Sequence, residues 1–131
     1  MLIGEVARRS GAPAKTLRYY EDIGLVDPPA RSPAGYRTYH DAVLDRLAFI
    51  RSSQALGLTL GEIRGIVALR DDDAAPPCGH VLDLLRARAD DIERTIADLR
   101  ALQSQLRRLV LRARRLDPAA CDPRRVCHLI G

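Results

Sequence analysis

Residues 10–25 read SGAPAKTLRYYEDIGL, and this stretch decides the fold. Ser10, Gly11 and Pro13 break any helix arriving from upstream, and a new helical run extends from Ala14 to Ile23. Leu17, Tyr20 and Ile23 share one face of it, and Gly24 falls where a left-handed C-terminal cap is wanted. Just upstream, LIGEVARR at 2–9 carries Leu2, Ile3, Val6 and Ala7 at helical spacing. Two short helices joined by a tight glycine-containing turn make a helix-turn-helix candidate.

Downstream, VDPPARSPAGYRTYH holds three prolines and a glycine and cannot be helical. Val26 at its start and Tyr36, Arg37, Thr38 and Tyr39 near its end are strand-prone, and Gly35 is a turn residue, so a two-stranded hairpin is expected. Asp41 is placed to cap a third helix that runs to about Leu56 and closes at Gly57. Thr59 and Glu62 have capping-box spacing, opening a fourth helix to about Leu69. RDDDAAPP at 70–77 reads as a linker, and from Gly79 to Arg115 no proline or further glycine intervenes.

That last segment repeats apolar or small residues at Leu85, Ala89, Ile92, Ile96, Leu99, Leu106, Val110 and Ala113, with Leu102, Leu109 and Leu116 on a flanking stripe. The pattern is close to a heptad seam. At 1.5 Å per residue the helix spans about 55 Å, too long for a small domain to cover, so the seam calls for a second copy of the same helix.

Composition narrows the class. A chain of 131 residues with 47% hydrophobic residues, one Phe, four Tyr and no Trp builds an aliphatic core, which favours packed helices. No apolar run approaches the roughly 20 residues needed to cross a bilayer, and no secretory leader is recognisable, so a cytoplasmic protein without a membrane partner is expected. The net charge is +4, carried almost wholly by arginine, whose bidentate fork suits phosphate. No glycine-rich phosphate loop and no catalytic Ser-His-Asp set is present, so nothing supports an enzyme.

The motifs IGEVARRSGAPAKTLRYYEDIGLVDP and GYRTY, followed by LGLTLGEIRGI, the long helix and a cysteine-bearing tail, resemble the MerR family of bacterial transcription regulators. The resemblance covers essentially the whole chain. It implies a mainly α fold: a winged helix-turn-helix DNA-binding domain at 1–70, a linker at 71–78, a dimerisation helix at 79–116 forming an antiparallel coiled coil, and a metal-binding loop and tail at 117–131. Lys15, Thr16, Arg18 and Tyr19 on the recognition helix, and Arg31, Tyr36 and Arg37 on the wing, are the DNA-contact residues that match. Thr16, Arg18 and Tyr19 lie on the face opposite Leu17 and Ile23, and Lys15 begins the helix, where free amides and a cation can meet phosphate. Tyr20, Tyr39 and His40 are expected to be structural.

The three cysteines complete the reading. If the long helix is unbroken, Cys78 stands at one end and Cys121 and Cys127 at the other, whereas sulfur ligands of one ion lie only about 4 Å apart. One chain cannot achieve this with itself, but an antiparallel pair can. Two equivalent sites are then expected, each from Cys78 of one protomer and Cys121 and Cys127 of its partner. In the family, metal sensors are built this way, and a cysteine heading the long helix marks sensors of divalent soft ions, here Zn, Cd, Pb or Hg. Three sulfurs suit the softer members, and zinc would want a fourth ligand, which His80 or His128 could supply. The family often has proline where His128 follows the second loop cysteine, and this loop is short.

The expected function is therefore a homodimeric, metal-responsive activator on a palindromic promoter operator, working with RNA polymerase on efflux or detoxification genes. Two alternatives stand beside it. Cys121 and Cys127 could form a regulatory disulfide in a redox or electrophile sensor, or the chain could sequester metal with an idle helix-turn-helix.

Overall fold

The computed structural model describes residues 1–72 and 76–130. The elements are α1 (Ile3–Ser10), α2 (Ala14–Asp22), β1 (Ala30–Arg31), β2 (Arg37–Thr38), α3 (Ala42–Ala55), α4 (Leu60–Asp71), α5 (Cys78–Arg115) and a 3-10 turn at Pro118–Ala120. They fall into two units, Met1–Arg88 and Ala89–Gly131.

In the first unit α1 packs on both α2 and α3, and α3 packs on α4. Their shared core is aliphatic, as the composition requires: Val6, Leu17, Leu25, Ile50 and Ile63 are fully enclosed, joined by Val43, Leu47, Leu58, Ile66 and Val67. Each such side chain contributes about 1.5–3 kcal/mol on leaving water. Leu17 and Tyr20 turn inward from α2, so the helical face read from 10–25 is the buried one. Gly24 takes φ 80° after α2, and Leu25 N–H reaches back to the Tyr20 carbonyl to close the helix end.

The hairpin differs from expectation in its first strand. Ala30–Arg31, not Val26, pairs antiparallel with Arg37–Thr38, because Val26 is drawn into the core with Leu25 and cannot also sit in an exposed ribbon. Leu2 bridges Thr38 on the other side, and Met1 and Tyr39 exchange backbone hydrogen bonds, so the chain start lies along the wing rather than in α1. Asp41 precedes α3 without a side-chain cap, being itself in helical conformation. The Thr59–Glu62 capping box is formed in both directions, at 3.1 and 2.9 Å.

α4 runs two residues further than expected, to Asp71, held there by the Arg46 guanidinium at 2.9 Å. Part of the expected linker, residues 73–75, lies outside the described residues. α5 starts at Cys78, one residue early. Its first turns belong to the first unit: Val81 and Leu84 pack on the core. Gly57 between α3 and α4 has φ 86°, and a Cβ there would lie 2.7 Å from Nε of Arg88. Changing Gly57→Ala should therefore destabilise the protein by about 1–2 kcal/mol, chiefly through the left-handed backbone. Thermal unfolding would show this as a Tm lower by several degrees.

The second unit is the remainder of α5 and the tail. No residue of α5 is buried; Ile92, Ile96, Leu99, Leu102, Leu106 and Val110 all stand exposed along it.

Candidate nucleic-acid interface and metal loop

Two sets of chemistry-bearing residues emerge, one on α2 and the wing and one on α5 and the tail. In the first, Lys15, Arg18 and Tyr19 project from α2 into solvent, with Tyr19 52% exposed and Thr16 half-buried beside them. The wing carries the next group. Its turn is held by Arg31, whose guanidinium donates to the Gly35 carbonyl at 3.0 Å, and by Ser32, whose hydroxyl accepts the Tyr36 N–H at 3.1 Å. Tyr36 is thereby presented at the tip, 64% exposed.

Arg37 is not free. Its NH1 lies 3.1 Å from Oε2 of Glu21, and the Tyr39 hydroxyl donates to Oε1 of the same carboxylate. Burial, then the Glu21 contact, raises the Tyr39 phenol above its ordinary value of 10.0. A raised value means that the folded state favours the neutral phenol. Its stabilisation is fully present at neutral pH and is lost only as pH climbs through the raised value. Tyr20 and Tyr39 are buried, as expected of structural residues, whereas His40 is exposed.

Sequence reading missed Glu21. The signal was there: an acidic residue in the last turn of a helix works against the macrodipole, and α2 has no basic residue in that turn. Such a residue needs another reason for its place.

On α5 and the tail, Cys78, Cys121 and Cys127 are free thiols, each exposed. Between the last two, the Asp122 carboxylate accepts the Arg124 N–H at 2.9 Å and the Asp122 carbonyl accepts that of Arg125 at 3.1 Å, folding 122–125 into a turn. The Cys127 thiol is lowered below its ordinary value by the nearby backbone N–H groups of Leu129 and Ile130. Such donors stabilise a thiolate, the form that ligates metal.

His128 has a buried Nδ1 with no hydrogen-bond partner among the described residues. His80 lies over α4, where a Cβ on Gly65 would be 3.9 Å from its Nε2. Leu129 is half-buried and Ile130 is exposed. Among the described residues no three His, Cys, Asp or Glu side chains are gathered within the single chain at metal-holding distance. No helix among them is long and apolar enough to cross a membrane.

Residues 1–69 match the MerR HTH family regulatory proteins, and residues 44–109 match the MerR DNA-binding family. The mercuric resistance operon regulatory protein of Bacillus cereus is 40% identical over 104 residues, covering 79% of this chain and 78% of that protein. The lead(II) complex of the transcription regulator PbrR691 from Ralstonia metallidurans CH34 superposes with TM-score 0.74 at 36% identity, covering 96% and 91% of the two chains. The mercury(II) complex of the regulator MerR from Bacillus megaterium MB1 gives TM-score 0.64 at 32% identity, covering 98% and 92%. The family match over residues 1–69 and the identity to these relatives over most of both chains show that the chain belongs to the MerR family of transcriptional regulators.

Proposed function

We propose that the protein is a homodimeric activator that binds promoter DNA through Lys15, Thr16, Arg18, Tyr19, Arg31, Tyr36 and Arg37 and responds to a divalent soft metal ion. The ion is held by Cys78 of one protomer and Cys121 and Cys127 of its partner. The observation that carries the reading is the tail loop, where Cys121 and Cys127 stand free and exposed on either side of the turn at 122–125. Three thiols of this kind fit Cd, Pb or Hg, and a nitrogen from His80 or His128 would add the fourth ligand that zinc prefers.

Dimerisation has two supports. The exposed seam of α5 is too apolar to remain in water. Charge then selects the orientation. From Asp83 to Asp98 the helix carries Asp83, Asp90, Asp91, Glu93 and Asp98 against Arg86, Arg88 and Arg94. From Arg100 to Arg115 it carries Arg100, Arg107, Arg108, Arg112, Arg114 and Arg115 and no acidic residue. A parallel pair would set the basic halves side by side; an antiparallel pair sets each against an acidic half. That orientation also brings the start of one helix beside the end of the other, where Cys78 can meet the tail cysteines.

Metal binding across two protomers stabilises one arrangement of the dimer, and any preference of that arrangement for deformed promoter DNA becomes a shift toward the form RNA polymerase uses. A domain organisation of DNA-binding part, dimerisation helix and metal loop follows from the same reading.

The lowered Cys127 thiol also suits a redox sensor, and one experiment separates the two. The reduced protein is titrated with Cd(II), Pb(II), Hg(II) and Zn(II) while thiolate-to-metal charge-transfer absorbance is followed. The metal reading requires tight, saturable binding of one ion per chain under reducing conditions. Absence of binding, together with a promoter response to peroxide or diamide, would replace it by the redox reading.

A further inference from the structure

The wing and α2 meet at one carboxylate. Glu21 is only 8% exposed at its side chain, and both its oxygens are used inside the protein, Oε2 by Arg37 at 3.1 Å and Oε1 by the Tyr39 hydroxyl. Arg37 and Tyr39 are two residues apart in extended chain and so share a face, while the backbone of Thr38 between them pairs with Ala30 on one side and Leu2 on the other. The strand is thus pinned to the helix by side chains and to its neighbours by backbone.

Arg37 is differently placed. Its side chain keeps 37% of its surface exposed, and NH1 alone is engaged among the described contacts. A guanidinium has five donors in a rigid fork, so Nε and NH2 remain for an outside acceptor.

We propose that Glu21 is the positioning residue of the wing: it holds the Arg37 fork at a fixed place beside α2, so that helix and wing meet the phosphate backbone as one body. The inference rests on the DNA-binding reading above and adds a residue that makes no DNA contact itself. Two effects of removing Glu21 oppose each other. Loss of a negative charge near phosphate would by itself tighten binding, whereas freeing Arg37 makes the protein order that long side chain at the moment of binding. The Glu21 charge is already neutralised by Arg37 and nearly sealed from solvent, so the ordering effect dominates and binding weakens.

The test uses full-length reduced protein and a duplex selected by the wild type from a random-sequence pool, with affinity measured across salt concentrations. Arg37→Ala is expected to weaken binding on the order of 10-fold to 100-fold and to reduce the salt slope by about one per half-site. Glu21→Gln is expected to weaken binding about 10-fold, and adding it to Arg37→Ala should cost nothing more. Thermal unfolding of each variant provides the structural control. A Glu21→Gln protein with a lower Tm but unchanged affinity, or with tighter binding, or with an effect additive to that of Arg37→Ala, would overturn the proposal.

If Glu21→Gln does not fold, Arg37→Lys serves instead, because it keeps the charge but lacks a fork that can hold Glu21 and phosphate together. A roughly 10-fold loss is then expected, and unchanged affinity would contradict the assignment. Failure of the wild type to select any duplex would show instead that the underlying DNA-binding reading is wrong, and the positioning role would fall with it.

Discussion

Replacing Cys78, Cys121 or Cys127 singly by Ser is expected to lower the affinity for Cd(II) or Pb(II) by more than about 100-fold, each to a similar degree. A serine hydroxyl stays protonated at neutral pH and is a hard donor, so it does not replace a thiolate at a soft ion. Loss of hydrogen-bond partners behind a ligand already costs roughly 10-fold to 100-fold, and loss of the ligand itself must exceed that. The comparison is clean because all three cysteines are exposed and free. Without metal, the variants should unfold at the wild-type temperature, and thermal unfolding checks this directly. Charge-transfer titration then reads the affinities. A Cys78→Ser protein that still binds Pb(II) as tightly as the wild type would remove the first unit from the site.

Changing Arg18 and Arg37 together to Ala should nearly abolish promoter binding while leaving metal binding intact. Each is assigned a phosphate contact, and a charged hydrogen bond is worth about 1.5 kcal/mol or more. Four such contacts per dimer imply a loss above about a thousandfold. Arg18 is exposed and Arg37 lies at the edge of the wing, so the double variant should keep its fold, though not the Glu21 pair. Gel-shift affinity and metal-dependent transcription from the promoter are the readouts. An undiminished promoter response would leave the chain as a metal-sequestering protein with an idle helix-turn-helix.

Much of the architecture was legible where local chemistry and tertiary packing agree. Leu17 and Tyr20 recur on one helical face and are buried on it, and Thr59 and Glu62 form the box that their spacing announces. The reading failed where two demands competed for one residue. Val26 has the propensity of a strand residue, yet the core took it and left the pairing to Ala30 and Arg31. Leu2 has the spacing of a helix residue, yet its backbone pairs with Thr38. Propensity ranks local preferences, and burial or a free strand edge outweighs it.

The candidate site was legible in its residue types more than in its connections. Arg31 and Arg37 were visible as cations on the wing, but their internal partners, the Gly35 carbonyl and Glu21, lie four and sixteen residues away and carry no periodic signal. The cysteines were visible as an odd set spaced too far apart for one chain. The backbone groups near the Cys127 sulfur and the His128 Nδ1, which has no partner among the described residues, depend on the conformation of a short tail, which no pattern in 121–130 specifies.

The central claim is that each metal site is shared between protomers, and a mixed dimer tests it most directly. Cys78→Ser chains, which keep Cys121 and Cys127, are unfolded and refolded together with Cys121→Ser/Cys127→Ser chains, which keep Cys78, and the heterodimer is isolated by differential tags. Neither parent homodimer has a complete site. In the heterodimer one of the two shared sites is whole, so the account predicts tight binding of one Pb(II) per mixed dimer with wild-type charge-transfer absorbance. A mixed dimer that binds no more metal than its parents would contradict it, and would place the ligands within a single chain or outside the cysteines altogether.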